Sequence, residues 1–287
     1  MKKQFITSAN LAYQDVGQGF PLLMGHSFLW DSHMWAPQIA HFQKNYRCLV
    51  PELWSHGSSD PLPAASYTLE KLAQEYWQFT QQLNVTRFAL IGLSVGGMWA
   101  TQLALSHPEA ISALVLMDTF VGEEPPTTQK AYFELLDAIE NTQSFTLPLI
   151  NKIAPYFFGK ETALTQPQLV ETFKQSLLAT PQAHIKGKVA LGRMIFDRPC
   201  LLDRLAELQI PTLIVVGEED LPRPAHEAQA MLKRIPHAQL ALIPKAGHIC
   251  TLEQPAFVNE VVTCFLKQHL DNASNPCSQN IEASTTY

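Results

Sequence analysis

Short apolar runs alternate with longer amphipathic segments along this 287-residue chain. Apolar residues at helical spacing mark the segments 69–83, 98–106 and 257–269 as helices. Strands that alternate with helices predict an α/β protein whose mostly parallel, twisted sheet is flanked by helices. The runs that predict buried strands lie at 21–24, 47–50, 88–91, 113–117, 212–216 and 239–243.

The stretch 122–196 departs from this alternation. It contains no convincing strand but several helical patterns, so we expect a helical cap inserted into a core formed by 1–121 and 197–270. The alternative is a set of ordinary crossover helices, although about 75 residues is far more than a crossover needs. The segment 271–287 is polar, with Ile281 as its only aliphatic side chain larger than alanine, and is predicted to be disordered.

Composition and charge narrow the partners of the protein. The 20 Lys and Arg residues are scattered among 26 Asp and Glu, and this net charge of −6 gives no support for binding to nucleic acid or to anionic membranes. No apolar run is long enough for a secretory signal or a membrane span, so we expect a cytoplasmic protein. The five cysteines are widely spaced and lack the spacing of a zinc site, which predicts reduced thiols.

One short motif carries the clearest chemical signal. Gly92-Leu93-Ser94-Val95-Gly96 has the pattern G-x-S-x-G and stands between the predicted strand 88–91 and a helix. In that context the serine lies on a tight strand-to-helix turn, and the flanking glycines avoid clashes with the strained backbone. The N–H of Val95, at the helix start, points to where negative charge develops on a substrate oxygen. Ser94 is therefore the predicted nucleophile.

A nucleophilic serine needs a base, and the base needs an acid that orients it. His248 follows the last predicted strand and is the predicted base. Asp220 and Asp118 each follow a predicted strand as well, at the sheet edge where ligands gather in open α/β sheets. We favour Asp220 as the acid and keep Asp118 as the alternative.

The chain resembles a capped α/β-hydrolase of the group of carboxylesterases, lactone and enol-lactone hydrolases and cofactor-free haloperoxidases. The resemblance covers about 20–270 and implies the α/β-hydrolase fold, the chain order nucleophile–acid–base and acyl transfer without a metal or cofactor. It rests on Gly92-Leu93-Ser94-Val95-Gly96-Gly97, Ser106-His107-Pro108-Glu109, the segment 114–119, the segment 210–220 and Ala246-Gly247-His248.

The resemblance also implies a second oxyanion donor, the backbone N–H of Phe28, after a His-Gly-x turn. This chain has Ser27 where that turn usually has glycine, and Ser55 where a later loop of the family has glycine. A serine that must adopt a positive φ angle costs on the order of 1 kcal/mol or forces a different turn.

The substrate class follows least directly from the residues. We expect a small to medium carboxylic ester, thioester or lactone held in an apolar pocket, although each pocket residue alone is as easily a core residue. The alternatives are a cofactor-free haloperoxidase or perhydrolase, a carbon–carbon bond hydrolase and, in another class, a non-catalytic ligand-binding protein. The predicted pocket residues are Phe28, Trp30, Trp99, Tyr156 and Phe157.

Overall fold

Eight strands form one sheet in the order β1-β2-β4-β3-β5-β6-β7-β8. The structure, a computed structural model, describes residues 1–6, 8–64 and 67–270. Strands β1 and β2 are antiparallel to their neighbours, and every pairing from β4 to β8 is parallel. The strands are β1 (Lys2–Ile6), β2 (Ala9–Val16), β3 (Phe20–Gly25), β4 (Tyr46–Pro51), β5 (Phe88–Leu93), β6 (Ile111–Met117), β7 (Thr212–Gly217) and β8 (Gln239–Ile243).

Helices cover both faces of this sheet, and the predicted fold class is confirmed. The α-helices are α1 (Ala36–Phe42), α2 (Leu69–Gln82), α3 (Val95–Ser106), α4 (Pro126–Thr142), α5 (Leu147–Ile153), α6 (Thr162–Thr165), α7 (Pro167–Leu178), α8 (Gln182–Phe196), α9 (Ala225–Leu232), α10 (Cys250–Glu253) and α11 (Pro255–Leu270). Short 3₁₀ helices lie at Ser32–Trp35, Pro108–Ala110, Ala154–Tyr156 and Leu202–Glu207.

The interior strands β5 and β7 are buried along their whole length, which explains why their sequences are continuous apolar runs. All six predicted strands occur. The hairpin of β1 and β2 was not predicted, because β1 lies at the sheet edge, is half exposed and begins with two lysines. Edge strands carry such charges as a rule, and the hydrophobic pattern is correspondingly weak.

The segment between β6 and β7 is helical, as the sequence predicts. Its residues 122–196, referred to below as the helical segment, contain α4 to α8, and α4 packs against α8. The division of the chain into a core and an inserted cap remains a prediction. The segment 271–287, predicted to be disordered, lies outside the described residues.

The structure also bears on the expected membrane and thiol properties. No helix among the residues that the structure describes has the length and hydropathy needed to cross a bilayer. Cys48, Cys200 and Cys250 are free thiols, and Cys277 lies outside the described part of the chain.

Lys188, on α8, is a buried amine that destabilises the native state. Burial is the main cause that lowers its pKa to about 7. No hydrogen bond or ion pair reaches its Nζ among the residues that the structure describes. Between about pH 7 and the ordinary lysine pKa near 10.4, the unfolded chain holds a proton that the native protein lacks, so stability rises with pH in that window.

We expect Lys188→Met to raise the free energy of unfolding at pH 7 by about 1–3 kcal/mol, because the apolar side chain fills the same space without desolvating an amine. Urea denaturation at pH 7 and at pH 9.5 measures this gain, which should shrink at the higher pH. Lys186→Met, at an exposed position of the same helix, is the matched control. A Lys188→Met protein less stable than wild type at pH 7 would contradict the prediction.

Candidate active site

Ser94 lies on the turn between β5 and α3 with a strained backbone. Its φ of 59° and ψ of −121° are unusual for a residue other than glycine. The turn is held by two contacts: the N–H of Ser94 donates to the carbonyl of Met117 at 2.9 Å, and the hydroxyl of Thr119 donates to the carbonyl of Ser94 at 2.7 Å. These contacts fix the serine at the carboxyl end of β5.

The two glycines of the motif are required by close backbone packing. A Cβ on Gly92 would lie 2.3 Å from the carbonyl oxygen of Gly96, and a Cβ on Gly96 would lie 2.2 Å from the carbonyl oxygen of Gly25. Both contacts involve backbone, which cannot move aside without displacing a strand or a helix. The pattern G-x-S-x-G is therefore a steric requirement of this turn.

His248 and Asp220 form a buried pair on neighbouring loops. Asp220 follows β7 and His248 follows β8, and the Nδ1 atom of His248 lies 2.9 Å from Oδ2 and 3.1 Å from Oδ1 of Asp220. A carboxylate can only accept, so Nδ1 carries the ring proton and Nε2 is left as the basic nitrogen. Both side chains are at most 4% exposed, which strengthens their interaction.

Asp118 lies near this pair but contacts different groups. Its Oδ1 accepts from the N–H of Gly217 at 2.8 Å, and the thiol of Cys250 lies next to the carboxyl. Burial, with a further contribution from Asp220, raises its pKa well above the usual range. The geometry thus joins His248 to Asp220 rather than to Asp118.

Two buried histidines shape the turn that contains Phe28. His26 accepts from the N–H of Leu53 at 2.8 Å and donates to the carbonyl of Ser27 at 2.8 Å. His56 accepts from the N–H of Leu29 at 3.2 Å. Burial lowers the pKa of His26 to about 4 and that of His56 well below its usual range, so both rings are neutral at pH 7. They hold the backbone of this turn in place.

The two serines that replace the family's usual glycines behave differently. Ser27 does not have a positive φ, so position 27 does not need glycine. Ser55 has a φ of 60°, and its hydroxyl accepts from the N–H of Leu62 at 2.9 Å, which offsets part of the strain. The positive φ of the first turn falls instead on Leu29, at 67°.

Ser94 and His248 line one small cavity of about 80 Å³. Of the predicted pocket residues, Phe28, Tyr156 and Phe157 also line it. Further apolar walls come from the core and from α4, α5 and α8, namely Met98, Leu135, Leu136, Ile139, Ile153, Ile195 and Phe196. The helical segment therefore encloses the side of the cavity opposite the sheet.

The other two predicted pocket residues, Trp30 and Trp99, do not line this cavity. Trp99, on α3, is 1% exposed and packs on Tyr76 with ring centroids 4.3 Å apart and against Gly25. Trp30 stacks on Phe173 of α7 with ring centroids 4.7 Å apart. Nearly all residues of α3 are buried. The sequence therefore does not distinguish the face of α3 that packs in the core, where Trp99 lies, from the face that lines the cavity.

The family model for the alpha/beta hydrolase fold matches residues 21–255. The chain belongs to the α/β-hydrolase family. It is 24% identical over 272 residues to 3-oxoadipate enol-lactonase 2 of Acinetobacter baylyi, which covers 93% of this chain and 97% of that protein. It is 26% identical over 256 residues to the pimeloyl-acyl-carrier-protein methyl ester esterase of Vibrio vulnificus, over 86% of this chain and 94% of that protein.

A solved relative agrees in fold along nearly the whole chain. The malate-bound esterase of Thermogutta terrifontis superposes with a TM-score of 0.84 at 28% identity, covering 93% of this chain and 98% of that one. The predicted resemblance is therefore confirmed, and this α/β-hydrolase is an enzyme of a group that contains esterases and lactonases.

A buried carboxylate ties the helical segment of this α/β-hydrolase to the loop that carries His248. Glu253, on α10, accepts from the N–H of Gly247 at 2.7 Å and from the N–H of Gly159 at 2.7 Å, and the hydroxyl of Thr162 donates to it as well. Glu253 was not predicted as a site residue, because its partners lie far apart in the chain and leave no local pattern.

Three charged residues that were not predicted as site residues also line the cavity of the α/β-hydrolase: Glu124, Arg198 and Arg223. Glu124 accepts from both guanidinium groups. The three positions come from three separate connections around β6 and β7, and no motif links them. Only the folded chain brings them together.

One cluster of potential metal ligands occurs among the residues that the structure describes. Single ligand atoms of Asp31, His33 and Glu52 lie within 4.8 Å of one another. These groups already have partners in the protein: Asp31 accepts from the N–H of His33 at 2.8 Å, and Glu52 accepts from the hydroxyl of Ser32 at 2.8 Å. None of the three lines the cavity of this α/β-hydrolase, so the cluster has no evident part in its chemistry.

Proposed function

We propose that this α/β-hydrolase is a serine hydrolase that cleaves a small to medium carboxylic ester, thioester or lactone through an acyl-enzyme. Its relatives support ester-bond hydrolysis as the general reaction, since an enol-lactonase and esterases are among them. One observation carries the finer proposal: the strained Ser94 and His248, which is paired with Asp220, line one largely apolar cavity.

In the proposed mechanism, Oγ of Ser94 attacks the carbonyl carbon of the ester while Nε2 of His248 takes the hydroxyl proton. Asp220 holds the imidazole in the required tautomer and stabilises the imidazolium that forms. His248 then gives the proton to the leaving atom as its bond to the acyl carbon breaks. This atom is oxygen in an ester or lactone and sulfur in a thioester. A water molecule, deprotonated by His248, then attacks the acyl carbon, and His248 returns the proton to Oγ of Ser94 as the acid leaves.

The proposed oxyanion donors are the N–H groups of Val95 and Phe28. Val95 is the first residue of α3, and the first N–H groups of a helix have no acceptor within the helix. Phe28 lines the same cavity as Ser94, on the turn held by His26 and His56. The helix dipole of α3 adds to the stabilisation of negative charge at this point.

We further propose that the helical segment acts as a cap that selects the acyl group. Its α4, α5 and α8 supply most of the apolar walls, and its aromatic contributions are Tyr132, Tyr156, Phe157 and Phe196. Glu253 couples the segment to the catalytic loop, so the cap and His248 keep a fixed relative position.

A substrate panel tests the proposed function. Wild-type protein is expected to hydrolyse p-nitrophenyl acetate and butyrate, and its rate should fall for long-chain esters because the cavity is small. Thioesters, lactones and peroxide-dependent halogenation are measured alongside, which separates the hydrolase from the perhydrolase alternative. Folded protein that turns over none of these compounds would support the non-catalytic alternative instead.

A further inference from the structure

Two arginines stand in the wall of the catalytic cavity. Arg198 follows the end of α8, and Arg223 lies three residues beyond Asp220, to whose Oδ1 its N–H donates at 2.9 Å. Their side chains are 1% and 5% exposed, and both residues line the cavity that contains Ser94 and His248. A guanidinium group is rarely buried without an anion that pairs with it.

The carboxylates of the protein only partly neutralise these two charges. Glu124 is shared: its Oε2 accepts from Nη1 of Arg198 at 2.9 Å, and its two oxygens accept from Nη2 of Arg223 at 2.6 and 2.8 Å. Glu227 lies 3.5 Å from Nη1 of Arg223, and burial raises the pKa of this carboxyl to about 7. The two guanidinium groups therefore share one closely paired carboxylate, Glu124, and a second carboxyl, Glu227, whose negative charge burial disfavours.

Arg198 has an unused edge of the kind that binds carboxylates. Its Nη1 donates to Glu124 and to the carbonyl of Ile195, whereas Nε and Nη2 have no hydrogen-bond partner among the described residues. The same edge holds a carboxylate with two parallel hydrogen bonds elsewhere in this molecule, where Arg47 binds Asp15. This geometry is the strong, bidentate mode of arginine–carboxylate recognition.

The rest of the cavity restricts the kind of molecule that carries such an anion. The walls around Ser94 are hydrophobic, with Met98, Leu136, Ile139 and Ile153 among them. Arg198 also lines an outer groove of about 790 Å³ between α8 and the loop that precedes α2. A ligand suited to both features is a short apolar chain that ends in an anion.

We propose that Arg198, supported by Arg223, is a carboxylate-binding subsite, and that the substrate is a short ester or lactone that carries a free carboxylate. This inference rests on the proposed function, because Arg198 would bind the carboxylate end of the same molecule whose ester bond Ser94 cleaves. The carboxylate supplies the negative charge that the arginine pair lacks, and the apolar walls accommodate the chain between it and the ester.

The first experiment compares an acidic ester with a neutral one. Wild-type protein is expected to hydrolyse monomethyl glutarate with a kcat/KM at least tenfold above that for methyl pentanoate. In Arg198→Gln this ratio should fall at least tenfold, because the paired charge and both free N–H donors are lost. Arg198→Lys, which keeps a charge but not the bidentate edge, should give an intermediate ratio.

The matched control is Arg193→Gln, on α8 just before Arg198. Arg193 is partly exposed, pairs with Asp137 and Glu140 and does not line the catalytic cavity, so this variant should keep the wild-type ratio. A wild-type ratio near one, or a ratio that Arg198→Gln leaves unchanged, would overturn the subsite. The wild-type ratio stands as a test even where Arg198→Gln fails to fold.

A binding measurement separates the subsite from the hydrolase proposal. Glutarate is titrated by calorimetry into the Ser94→Ala protein, with and without Arg198→Gln, so that no turnover is needed. Binding that requires Arg198 supports the subsite even where no ester is cleaved, and in that case only the hydrolase proposal fails. Ester cleavage without preference for the acidic ester, together with no glutarate binding, rejects the subsite alone.

Discussion

Ser94→Ala is expected to lower kcat at least about 10⁴-fold toward any ester that the wild-type protein hydrolyses. The hydroxyl oxygen of Ser94 is the atom that forms the acyl-enzyme. Among the described residues, no other hydroxyl or thiol that lines the cavity stands on this strained turn. Without it, His248 can only activate water directly, at a distance set for the serine. The residual rate then comes from oxyanion stabilisation and substrate binding.

Two measurements check this expectation. Steady-state hydrolysis of p-nitrophenyl butyrate gives the loss of kcat, and a fluorophosphonate probe followed by peptide mass spectrometry gives the labelled residue, which should be Ser94. Ser112→Ala is the matched control. Ser112 lies at the start of β6, at the end of the strand away from the cavity, and its hydroxyl accepts from Arg87 at 3.1 Å. Full activity of Ser94→Ala, or a label on another serine, would reject the proposed nucleophile.

The sequence predicted the parts of this molecule that depend on local pattern. Buried strands such as β5 and β7 are apolar on both faces, and the G-x-S-x-G turn is enforced by backbone contacts within six residues of Ser94 and at Gly25. The carboxyl ends of neighbouring parallel strands lie side by side at one edge of the sheet. The strand pattern therefore also predicted that Asp220, after β7, and His248, after β8, lie close together.

The cavity wall did not follow from local pattern, because it depends on how the helical segment packs over the sheet. Tyr156, Phe157 and Trp99 are all large aromatic residues that were predicted to line the pocket. Tyr156 and Phe157 line the cavity, whereas Trp99 packs on Tyr76 in the core. Glu124 and Arg198 come together only because α4 and α8 pack side by side. Such contacts between distant residues are set by tertiary packing, which hydrophobic periodicity does not describe.

Asp220→Asn is expected to lower kcat by about 10⁴-fold with little change in fold. Oδ1 of Asp220 accepts from the N–H of Arg223, so the asparagine oxygen should occupy that position and place its NH₂ group toward Nδ1 of His248. Nδ1 must then accept, which moves the ring proton to Nε2. The nitrogen that should take the serine proton is already protonated in that tautomer, and the imidazolium has no negative partner.

Asp118→Asn is the matched comparison, because the same change is made to a buried carboxyl at the end of the neighbouring strand. Asp118 accepts from Gly217, which an amide oxygen does equally well, and burial already raises the pKa of this carboxyl well above its usual range. We expect less than about a tenfold loss of kcat, since Asp118 does not contact His248. Hydrolysis of p-nitrophenyl butyrate by both variants, with thermal denaturation to verify folding, decides between the two acids. The opposite pattern, a large loss only in Asp118→Asn, would transfer the role of the acid to Asp118 despite the 2.9 Å contact between His248 and Asp220.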